Sequence, residues 1–513
     1  MKVKYLLEGC GIAILVLLSY IWPQVSPNHV AIYFSVLPVT SVTSGILIDV
    51  VALAAISTLV ITLASRGDGD TNGRYVWVAL MFVAISAAVS SIAKLAEVHR
   101  LTPNSAVLAG GMVLPVCLTR YWSPLKYKVL VRGFRLALAL IGLCAIWIIP
   151  QLLFIALHRQ SSDQLAFRKP TGTNIPLRRI VWILFDELSY AQTFESRNSS
   201  LRLPNFDWLR DRSTSFSQLG PVGYYTARVV PSLLIGRQIR NLRSTLDGSA
   251  LIQLEESSHL QQLDPQQTIF AEAQRNGWTT GVAGWSNPYC RLLSTVLDSC
   301  DWLPDQFTPS YLYSHMSAQR SPLQNALAPV ANSIRRFRHQ PSADPSATEF
   351  HLRDARDLIA PALALIRDEQ IGFVFLHLAV PHPPGVYDRS THQFRKGGSY
   401  LDNLALADHY LGQLLEAVSS TTPAARTTVV VCSDHSWRVP MWKNSAIWTQ
   451  EDERASNSFF DNRPVLMVHF PEQTQRISID QPENSLILHA MLEGMLRGTI
   501  ADPEQLASWV AAW

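Results

Sequence analysis

Two hydrophobic runs of the chain each end on side chains that bind metal ions. The run Ile-Val-Trp-Ile-Leu-Phe is followed by Asp186 and Glu187, and the run Thr-Thr-Val-Val-Val-Cys-Ser is followed by Asp434 and His435. Such β-branched, apolar runs are typical of buried strands. Because open α/β sheets place their ligands at the carboxyl ends of strands, the two ends predict a shared metal site at one edge of a sheet.

The residue types at these ends indicate which metal would bind. Carboxylates together with an imidazole favour Zn²⁺ or Mn²⁺ over Ca²⁺. Asp186 and Glu187 are adjacent, and neighbouring buried carboxylates repel unless a divalent cation neutralises them. The alternative is that either acid caps a following helix. The sequence leaves open which of the two binds the metal.

Thr226 lies between the two runs and is the candidate nucleophile. A hydroxyl is a weak nucleophile at neutral pH, and a metal ion that stabilises its alkoxide makes it reactive. A cation shared by Thr226 and the two strand ends would activate the hydroxyl and neutralise a phosphoryl oxygen. The alternative is a hydroxyl that caps a helix.

Six segments, in a common order, resemble the alkaline phosphatase and sulfatase superfamily over about residues 178–475. They are Leu203–Leu209, Gly223–Arg237, Phe375–Pro384, Tyr400–Gly412, Ser433–His435 and Arg463–Met467. The second contains Pro-Ser-Leu-Leu-Ile-Gly-Arg, which looks like the helix after the nucleophile in that superfamily. The resemblance implies a metal-dependent enzyme with an α/β fold.

Within the superfamily, an apolar N-terminal region looks like that of lipoteichoic acid synthases and phosphoethanolamine transferases, which use a threonine nucleophile. Sulfatases instead convert a Cys or Ser to formylglycine in a Cys/Ser-x-Pro-x-Arg context, which Thr226-Ala-Arg-Val-Val does not provide. The resemblance therefore implies a phosphothreonine diester. The pair Asp186 and Glu187 departs from the single Glu of those transferases.

The same resemblance implies roles for three further residues. His382 would contact the substrate phosphoryl group or protonate the leaving alcohol. Arg228 and Arg438 would bind the phosphate charge, although each is equally interpreted as a surface charge. His377, within a strand, and Asp408, within a helix, are interpreted as structural.

The elements that position these residues alternate between apolar strands and amphipathic helices. Strands are predicted at 179–185, 279–283, 372–378, 427–433 and 464–470, with helices from Pro204 and at 266–276, 352–366, 401–418 and 485–496. This alternation indicates a mostly parallel sheet covered on both faces. The stretches Ser310–Ala347 and Trp437–Asp461 are predicted to be irregular and to lie over the site.

Five apolar segments near the N-terminus are candidates for crossing a bilayer, which takes roughly 20 residues each. They are Tyr5–Trp22, Ile46–Ala64, Tyr75–Ala93, Ala106–Leu118 and Leu136–Leu157, of which the fourth is short. The flanking basic clusters predict a cytoplasmic N-terminus and an extracytoplasmic C-terminal part. We therefore expect residues 1–157 to be an all-α transmembrane bundle of about five helices, 158–178 a linker and 179–513 an extracytoplasmic catalytic domain, in the inner (plasma) membrane.

The net charge and the cysteines bear on two further questions, whether the protein binds nucleic acid and whether it contains a disulfide. A net charge of +3, without a long basic stripe, argues against a nucleic-acid partner. Cys290 and Cys300 lie ten positions apart in a polar loop. They either form a disulfide, which an oxidising compartment allows, or remain two small apolar side chains.

These patterns favour a metal-dependent, membrane-anchored phosphotransferase. It would move a phosphoethanolamine- or glycerophosphate-type headgroup from a membrane lipid to an extracytoplasmic glycan or lipid. The alternative is a membrane-tethered phosphodiesterase or sulfatase-like ester hydrolase with water as acceptor. A third interpretation is a non-catalytic membrane scaffold, against which the combination of Asp434, His435 and Thr226 argues.

Overall fold

The computed structural model divides the chain into two compact units. The described residues are 3–25, 33, 39–66, 75–85, 88, 124–157, 177–245, 248–304, 347–422, 424–456 and 461–513. One unit comprises Met1–Ser161 with Pro309–Ser346, and the other comprises Ser162–Thr308 with Ala347–Trp513. The apolar segments thus belong to the first unit and the metal-ligand motifs to the second.

The described part of the first unit is helical. Its helices are α1 (Val3–Val25), α2 (Val39–Arg66), α3 (Tyr75–Ile85), α4 (Pro124–Leu143) and α5 (Ala145–Leu157). In the described residues, two stretches are long and apolar enough to cross a membrane, Thr43–Ser65 and Tyr127–Leu157. The expected five spans are therefore not confirmed. Ala106–Leu118 and part of Tyr75–Ala93 lie outside the described residues.

Helices α1 and α4 pack at close range. A Cβ atom at Gly11 would lie 2.1 Å from the carbonyl oxygen of Leu138, so only glycine allows this approach. Glu8 on α1 is buried and pairs with Arg135 on α4, at 3.0 Å. Backbone contact and a buried ion pair together fix the register of these two helices.

The second unit is built on a large sheet. Its strands are β1 (Arg179–Phe185), β2 (Thr214–Phe216), β3 (Leu219–Gly220), β4 (Ile239–Ser244), β5 (Ala250–Leu254), β6 (Leu260–Gln262), β7 (Thr280–Ser286), β8 (Ser299–Pro304), β9 (Phe373–Leu378), β10 (Gly385–Asp388), β11 (Gln393–Gly398), β12 (Thr427–Ser433), β13 (Leu466–His469), β14 (Ile477–Ile479) and β15 (Glu483–Asn484). The order in the large sheet is β14-β2-β13-β12-β1-β9-β7-β8. From β12 to β8 all neighbours are parallel, whereas β13 is antiparallel to β12 and β2. The predicted mostly parallel α/β sheet is confirmed.

Helices cover both faces of this sheet. They are α6 (Pro204–Arg210), α7 (Thr226–Ile235), α8 (Ile269–Arg275), α9 (Tyr289–Leu292), α10 (Ala347–Asp357), α11 (Ile359–Arg367), α12 (Tyr400–Ser419), α13 (Val439–Trp442), α14 (Gln450–Ser456), α15 (Ile487–Arg497) and α16 (Pro503–Ala512). Alternate residues of β1 enter two separate cores, Val181, Ile183 and Phe185 in one and Ile180, Trp182 and Leu184 in the other. Because both faces are buried, the strand is apolar throughout, which is why its sequence is a continuous hydrophobic run.

Several predicted elements differ from the structure. The stretch Trp437–Asp461, predicted to be irregular, contains the short helices α13 and α14. The helix expected at 352–366 is divided into α10 and α11, because Pro361 has no amide hydrogen to bond the carbonyl of Asp357. The strand expected at 464–470 is shorter and antiparallel. Most of the linker 158–178 and of the stretch Ser310–Ala347 lies outside the described residues.

Candidate active site

The two acidic strand ends meet because β1 and β12 are neighbours in the sheet. They pair in parallel with Phe185 opposite Ser433, so the residues that follow leave the sheet at one edge. The backbone nitrogen of Glu187 donates to Oδ1 of Asp434 at 3.2 Å, which continues the pairing beyond the strands. This is the edge at which the sequence predicts the ligands.

Thr226 is the first residue of α7, and its hydroxyl reaches the same edge. Its Oγ1 lies 3.1 Å from Oδ2 of Asp186 and 3.4 Å from Nε2 of His435. The side chain of Asn287 donates to the Thr226 carbonyl at 3.3 Å and so holds the start of the helix. A helix N-terminus carries partial positive charge, which favours an anion bound beside this hydroxyl.

Burial sets the charge state of the cluster. Burial and the Asp434 charge raise the pKa of Asp186 well above its ordinary value, and burial likewise raises the pKa of Asp434. Burial and the Arg438 charge lower the pKa of His435 to about 3, which keeps its ring neutral. Two mutually repelling carboxylates beside a neutral imidazole are a set of groups that a divalent cation would stabilise.

The donor atoms of the cluster fit such a cation. Asp186, Glu187 and His435 each bring one ligand atom to within 4.8 Å of the others. Oδ1 of Asp186 is buried and lacks a hydrogen-bond partner among the described residues. Carboxylate oxygens and an imidazole nitrogen are donors that Zn²⁺ and Mn²⁺ accept.

The Glu187 carboxylate, although close to Asp186, is held by side chains of its own. The backbone φ of Glu187 is +63°, in the left-handed region that residues other than glycine rarely adopt. Its Oε1 accepts from Nε of Arg438 at 2.5 Å, and its Oε2 accepts from Nε1 of Trp442 at 3.0 Å. Because Arg438 already neutralises Glu187, Asp186 is the better candidate ligand of the two.

Arg438 links Glu187 to His382. Its Nη2 lies 3.0 Å from Nε2 of His382, and its Nη1 donates to the carbonyl of Tyr224 at 3.0 Å. Burial and the Arg438 charge lower the pKa of His382 well below its ordinary value. A neutral His382 that accepts from Arg438 through Nε2 carries its proton on Nδ1. Arg438 is thus a buried member of the site and not a surface charge, with 8% of its area exposed.

Arg228 lies two residues after Thr226 but has different contacts. Its guanidinium carbon is 4.5 Å from the centroid of the Tyr225 ring, and its Nη1 donates to the carbonyl of Arg240 at 2.6 Å. Of the predicted residues, the structure groups Asp186, Thr226, Asp434 and His435, sets Glu187, His382 and Arg438 beside them, and gives Arg228 these separate contacts.

Three residues contribute to the site in ways that the sequence does not indicate. Nε2 of His377, interpreted as structural, lies 3.4 Å from Oδ2 of Asp186 because β9 pairs beside β1. The hydroxyl of Tyr400 donates to the Glu187 carbonyl at 2.7 Å, and Trp442 contacts the Glu187 carboxylate. Trp442 is the last residue of α13, within the stretch Trp437–Asp461 that the sequence predicts to lie over the site.

Cys290 on α9 and Cys300 on β8 form a disulfide. It joins the helix that follows β7 to the strand that pairs with β7, at the margin of the large sheet. Of the two interpretations that the sequence leaves open for these cysteines, the structure has the disulfide.

The chain is similar to one family model and to several solved structures. Residues 178–491, more than half of the chain, match the family model described as Sulfatase. A solved structure similar to the chain is Ps i-CgsB in complex with k-i-k-neocarrahexaose, at 16% identity and a TM-score of 0.41, covering 64% of this chain and 73% of that chain. Another is the phosphonate monoester hydrolase of Agrobacterium radiobacter, at 13% identity and a TM-score of 0.39, covering 62% and 74%. A third is the PsFucS1 sulfatase from Pseudoalteromonas sp., at 13% identity and a TM-score of 0.40, covering 63% and 68%.

No curated protein matches the chain. The matched span of the family model nevertheless contains both acidic strand ends, the threonine between them and the loop of His382. On the extent of that match, the chain belongs to the sulfatase family.

Proposed function

We propose that the chain is a metal-dependent, membrane-anchored phosphotransferase with Thr226 as its nucleophile. The observation that supports this most directly is the position of the Thr226 hydroxyl, 3.1 Å from Asp186 and 3.4 Å from His435. Asp186, Asp434 and His435 would hold the cation together with Thr226. When bound, a divalent cation stabilises an alkoxide and neutralises a phosphoryl oxygen.

The proposed reaction consists of two displacements at phosphorus. In the first, the Thr226 hydroxyl loses its proton and its oxygen forms a bond to the phosphorus of a lipid phosphodiester, while the bond to the lipid alkoxy oxygen breaks and that oxygen takes up a proton. In the second, an acceptor hydroxyl loses its proton and attacks the phosphothreonine diester, and the released Thr226 oxygen regains a proton. Arg438, which contacts Glu187 and His382, would bind the phosphate charge.

The nucleophile favours phosphoryl transfer over the formylglycine chemistry of sulfatases. The chain has Thr226-Ala-Arg-Val-Val where formylglycine formation needs a Cys or Ser followed by Pro and Arg. Threonine keeps its hydroxyl and can carry a phosphate ester. This agrees with the resemblance to lipoteichoic acid synthases and phosphoethanolamine transferases.

The apolar helices favour a lipid as the phosphoryl donor. Thr43–Ser65 and Tyr127–Leu157 each have the length that a bilayer requires. The proposal includes a multi-pass transmembrane part at 1–157, a linker at 158–178 and an extracytoplasmic domain at 179–513, in the inner (plasma) membrane. The headgroup, of phosphoethanolamine or glycerophosphate type, would pass to a glycan or lipid acceptor.

The test is to trap the adduct on Thr226 and determine its mass. Full-length protein in vesicles of phosphatidylethanolamine and phosphatidylglycerol, supplied with Zn²⁺ or Mn²⁺, is quenched and mapped by peptide mass spectrometry. We expect a headgroup phosphate on Thr226 in the wild type and in the control Thr422→Ala, which changes an exposed threonine just before β12. Thr226→Ala should show no adduct, and an adduct that persists in this variant contradicts the proposal.

A membrane-tethered phosphodiesterase or sulfatase-like ester hydrolase remains the alternative, and membership of the sulfatase family is compatible with it. The same vesicles, with and without a glycan acceptor, distinguish the two activities. A transferase increases acceptor-linked headgroup when glycan is added. Release of free headgroup at the same rate in both mixtures assigns the hydrolase. Turnover of an aryl sulfate that is lost in Thr226→Ala assigns the sulfatase-like reaction.

A further inference from the structure

A cavity of about 240 Å³ lies beside the segment that carries Arg438. Trp437 and Val439 line the cavity, whereas Arg438 between them contacts Glu187. Gln192, shortly after the acidic end of β1, also lines it. The cavity therefore adjoins the candidate active site but is formed by different side chains.

Two buried polar atoms on the cavity wall lack hydrogen-bond partners among the described residues. They are Nε1 of Trp437 and Oε1 of Gln192, on side chains that are 2% and 8% exposed. The Gln192 amide orientation is fixed, because its Nε2 donates to the carbonyl of Ala455 at 3.0 Å. The indole nitrogen only donates and the amide oxygen only accepts, so a hydroxyl-bearing molecule satisfies both.

The charges around the cavity disfavour an anionic occupant. Asp461 also lines it, and its carboxylate accepts from the side chain of Arg463 at 3.0 Å. Arg463 pairs with Glu195 as well, so two acids share one guanidinium and leave an excess of negative charge that repels anions. A bare cation offers no acceptor to the N–H of Trp437, whereas a neutral molecule with hydroxyl groups offers both an acceptor and a donor.

The size and the aromatic packing define the occupant further. About 10–15 Å³ of such space is enough for one water molecule, so the cavity has room for a molecule of several heavy atoms. The Trp437 ring stacks on Tyr400 at 4.2 Å and on Trp448 at 5.3 Å, which leaves its N–H edge for the occupant. Ala191, Val439 and Ala455 add apolar surface suited to C–H groups.

We infer that this cavity binds a small neutral molecule with several hydroxyl groups, such as a polyol or a sugar ring. Its hydroxyls accept from Nε1 of Trp437 and donate to Oε1 of Gln192. Its carbon skeleton packs on Val439, so the occupant restrains the backbone on both sides of Arg438. The inference does not depend on the chemistry proposed for Thr226.

Ligand-observed NMR on full-length protein in lipid nanodiscs tests this binding, since detergents with sugar headgroups would compete. The probes are glycerol, glucose and N-acetylglucosamine, with glycerol 3-phosphate and glucosamine as charged comparators. We expect saturable binding of at least one neutral probe and weaker binding of both charged ones. Hydrogen exchange of the peptide around Trp437 and Val439 should slow when the probe is bound.

Variants of Trp437 and Gln192 distinguish a specific binding site from nonspecific binding. Trp437→Phe keeps the stacked ring but removes the donor, and Gln192→Met keeps the length but removes the acceptor. Each should weaken binding at least about fivefold, as the loss of one hydrogen bond predicts. Trp448→Phe is the matched control, because Nε1 of Trp448 donates to Glu453 at 2.8 Å. Thr226→Ala should bind the probe as the wild type does, so a failure of the proposed function leaves this result unchanged.

Three results would overturn the inference. The first is no saturable binding of any neutral probe up to about 100 mM. The second is tighter binding of a charged comparator. The third is equal binding by the wild type, Trp437→Phe and Gln192→Met.

Discussion

The adjacent acids Asp186 and Glu187 have different partners, and the difference assigns them different roles. Asp186 lies within hydrogen-bonding distance of Thr226 and near His377, whereas Glu187 is held by Arg438. Glu187 also has a left-handed backbone with a φ of +63°, which is strained for a residue other than glycine. At the scale of single residues, these contacts predict that Asp186 is a metal ligand and that Glu187 is chiefly the ion-pair partner of Arg438.

Metal binding should distinguish the two acids. Asp186→Asn removes a carboxylate that faces His435 and Thr226, so we expect affinity for Zn²⁺ or Mn²⁺ to fall by more than about 100-fold. Glu187→Gln removes only a supporting group, and residues of that kind typically change affinity by about 10–100-fold or less. Competition with a chelating dye, on full-length protein, measures both. Equal losses in the two variants would show that Glu187 is also a ligand.

The ion pair between Glu187 and Arg438 should behave as one unit. Removing a single partner leaves a buried charge without its counterion, which costs about 3–5 kcal/mol. We therefore expect Glu187→Gln and Arg438→Met each to lower the melting temperature, and the double variant to lower it by less than the sum. Tryptophan fluorescence during heating provides the measurement.

An exposed ion pair is the control for this comparison of single and double variants. Arg237 and Glu256 are about half exposed, and pairs of this kind contribute little to stability. The matched variants Arg237→Met and Glu256→Gln should leave the melting temperature close to that of the wild type. Additive losses at Glu187 and Arg438 would mean that the pair is not coupled.

At the scale of elements, helix α10 supports the loop that carries His382. Nε2 of His351 lies 2.8 Å from the carbonyl oxygen of His382, and the side chain of Asn403 donates to the same oxygen at 2.9 Å. The Trp285 ring contacts both imidazoles, with centroids 5.7 and 5.3 Å away. The helix therefore orients a loop of the site without contacting the acidic edge itself.

His351 should make the stability of the protein depend on pH. Burial lowers its pKa to about 4 from an ordinary value of 6.5. Between these values the unfolded chain binds a proton that the folded chain does not, so stability falls as the pH drops from 6.5 to 4. A shift of this size is equivalent to about 3 kcal/mol.

We expect His351→Gln to reduce the fall in melting temperature between pH 6.5 and pH 4. Other buried histidines contribute to the same slope, so the variant flattens it in part. His409→Gln, at an exposed position on α12, is the control and should keep the slope of the wild type. The same slope in His351→Gln and wild type would contradict the assignment.

The sequence located the elements that end at the site but not every side chain that enters it. The bounds of β1 and β12 equal the predicted ones, because both strands are buried on both faces and read as continuous apolar runs. The break between α10 and α11, which the predicted helix at 352–366 lacks, is explained by Pro361, since proline cannot continue a helix ladder. His377 reaches the site because β9 pairs beside β1, and Trp442 reaches it at the end of α13. Neither position follows from local spacing.

At the scale of the whole molecule, the disulfide provides a test of the extracytoplasmic location proposed for residues 179–513. Cytosolic thiols remain reduced, whereas disulfides persist outside the cytoplasm. Cys290 and Cys300 are bonded to each other, while Cys432 in the same unit is a free, buried thiol. The free thiol of Cys432 can therefore be compared with the bonded pair Cys290 and Cys300 within one domain, which tests the proposed topology.

Trapping the thiols in intact cells should test the extracytoplasmic location of residues 179–513. Cells are denatured in an alkylating reagent without reductant, and the protein is mapped by mass spectrometry. We expect Cys432 to be alkylated and Cys290 and Cys300 to be modified only after reduction, because an oxidising compartment keeps their bond intact. The variant Cys300→Ala frees Cys290 for alkylation and shows that the reagent reaches it. If Cys290 and Cys300 are both alkylated before reduction in the wild type, the domain faces the cytoplasm, and an extracytoplasmic acceptor is excluded even if Thr226 carries the adduct.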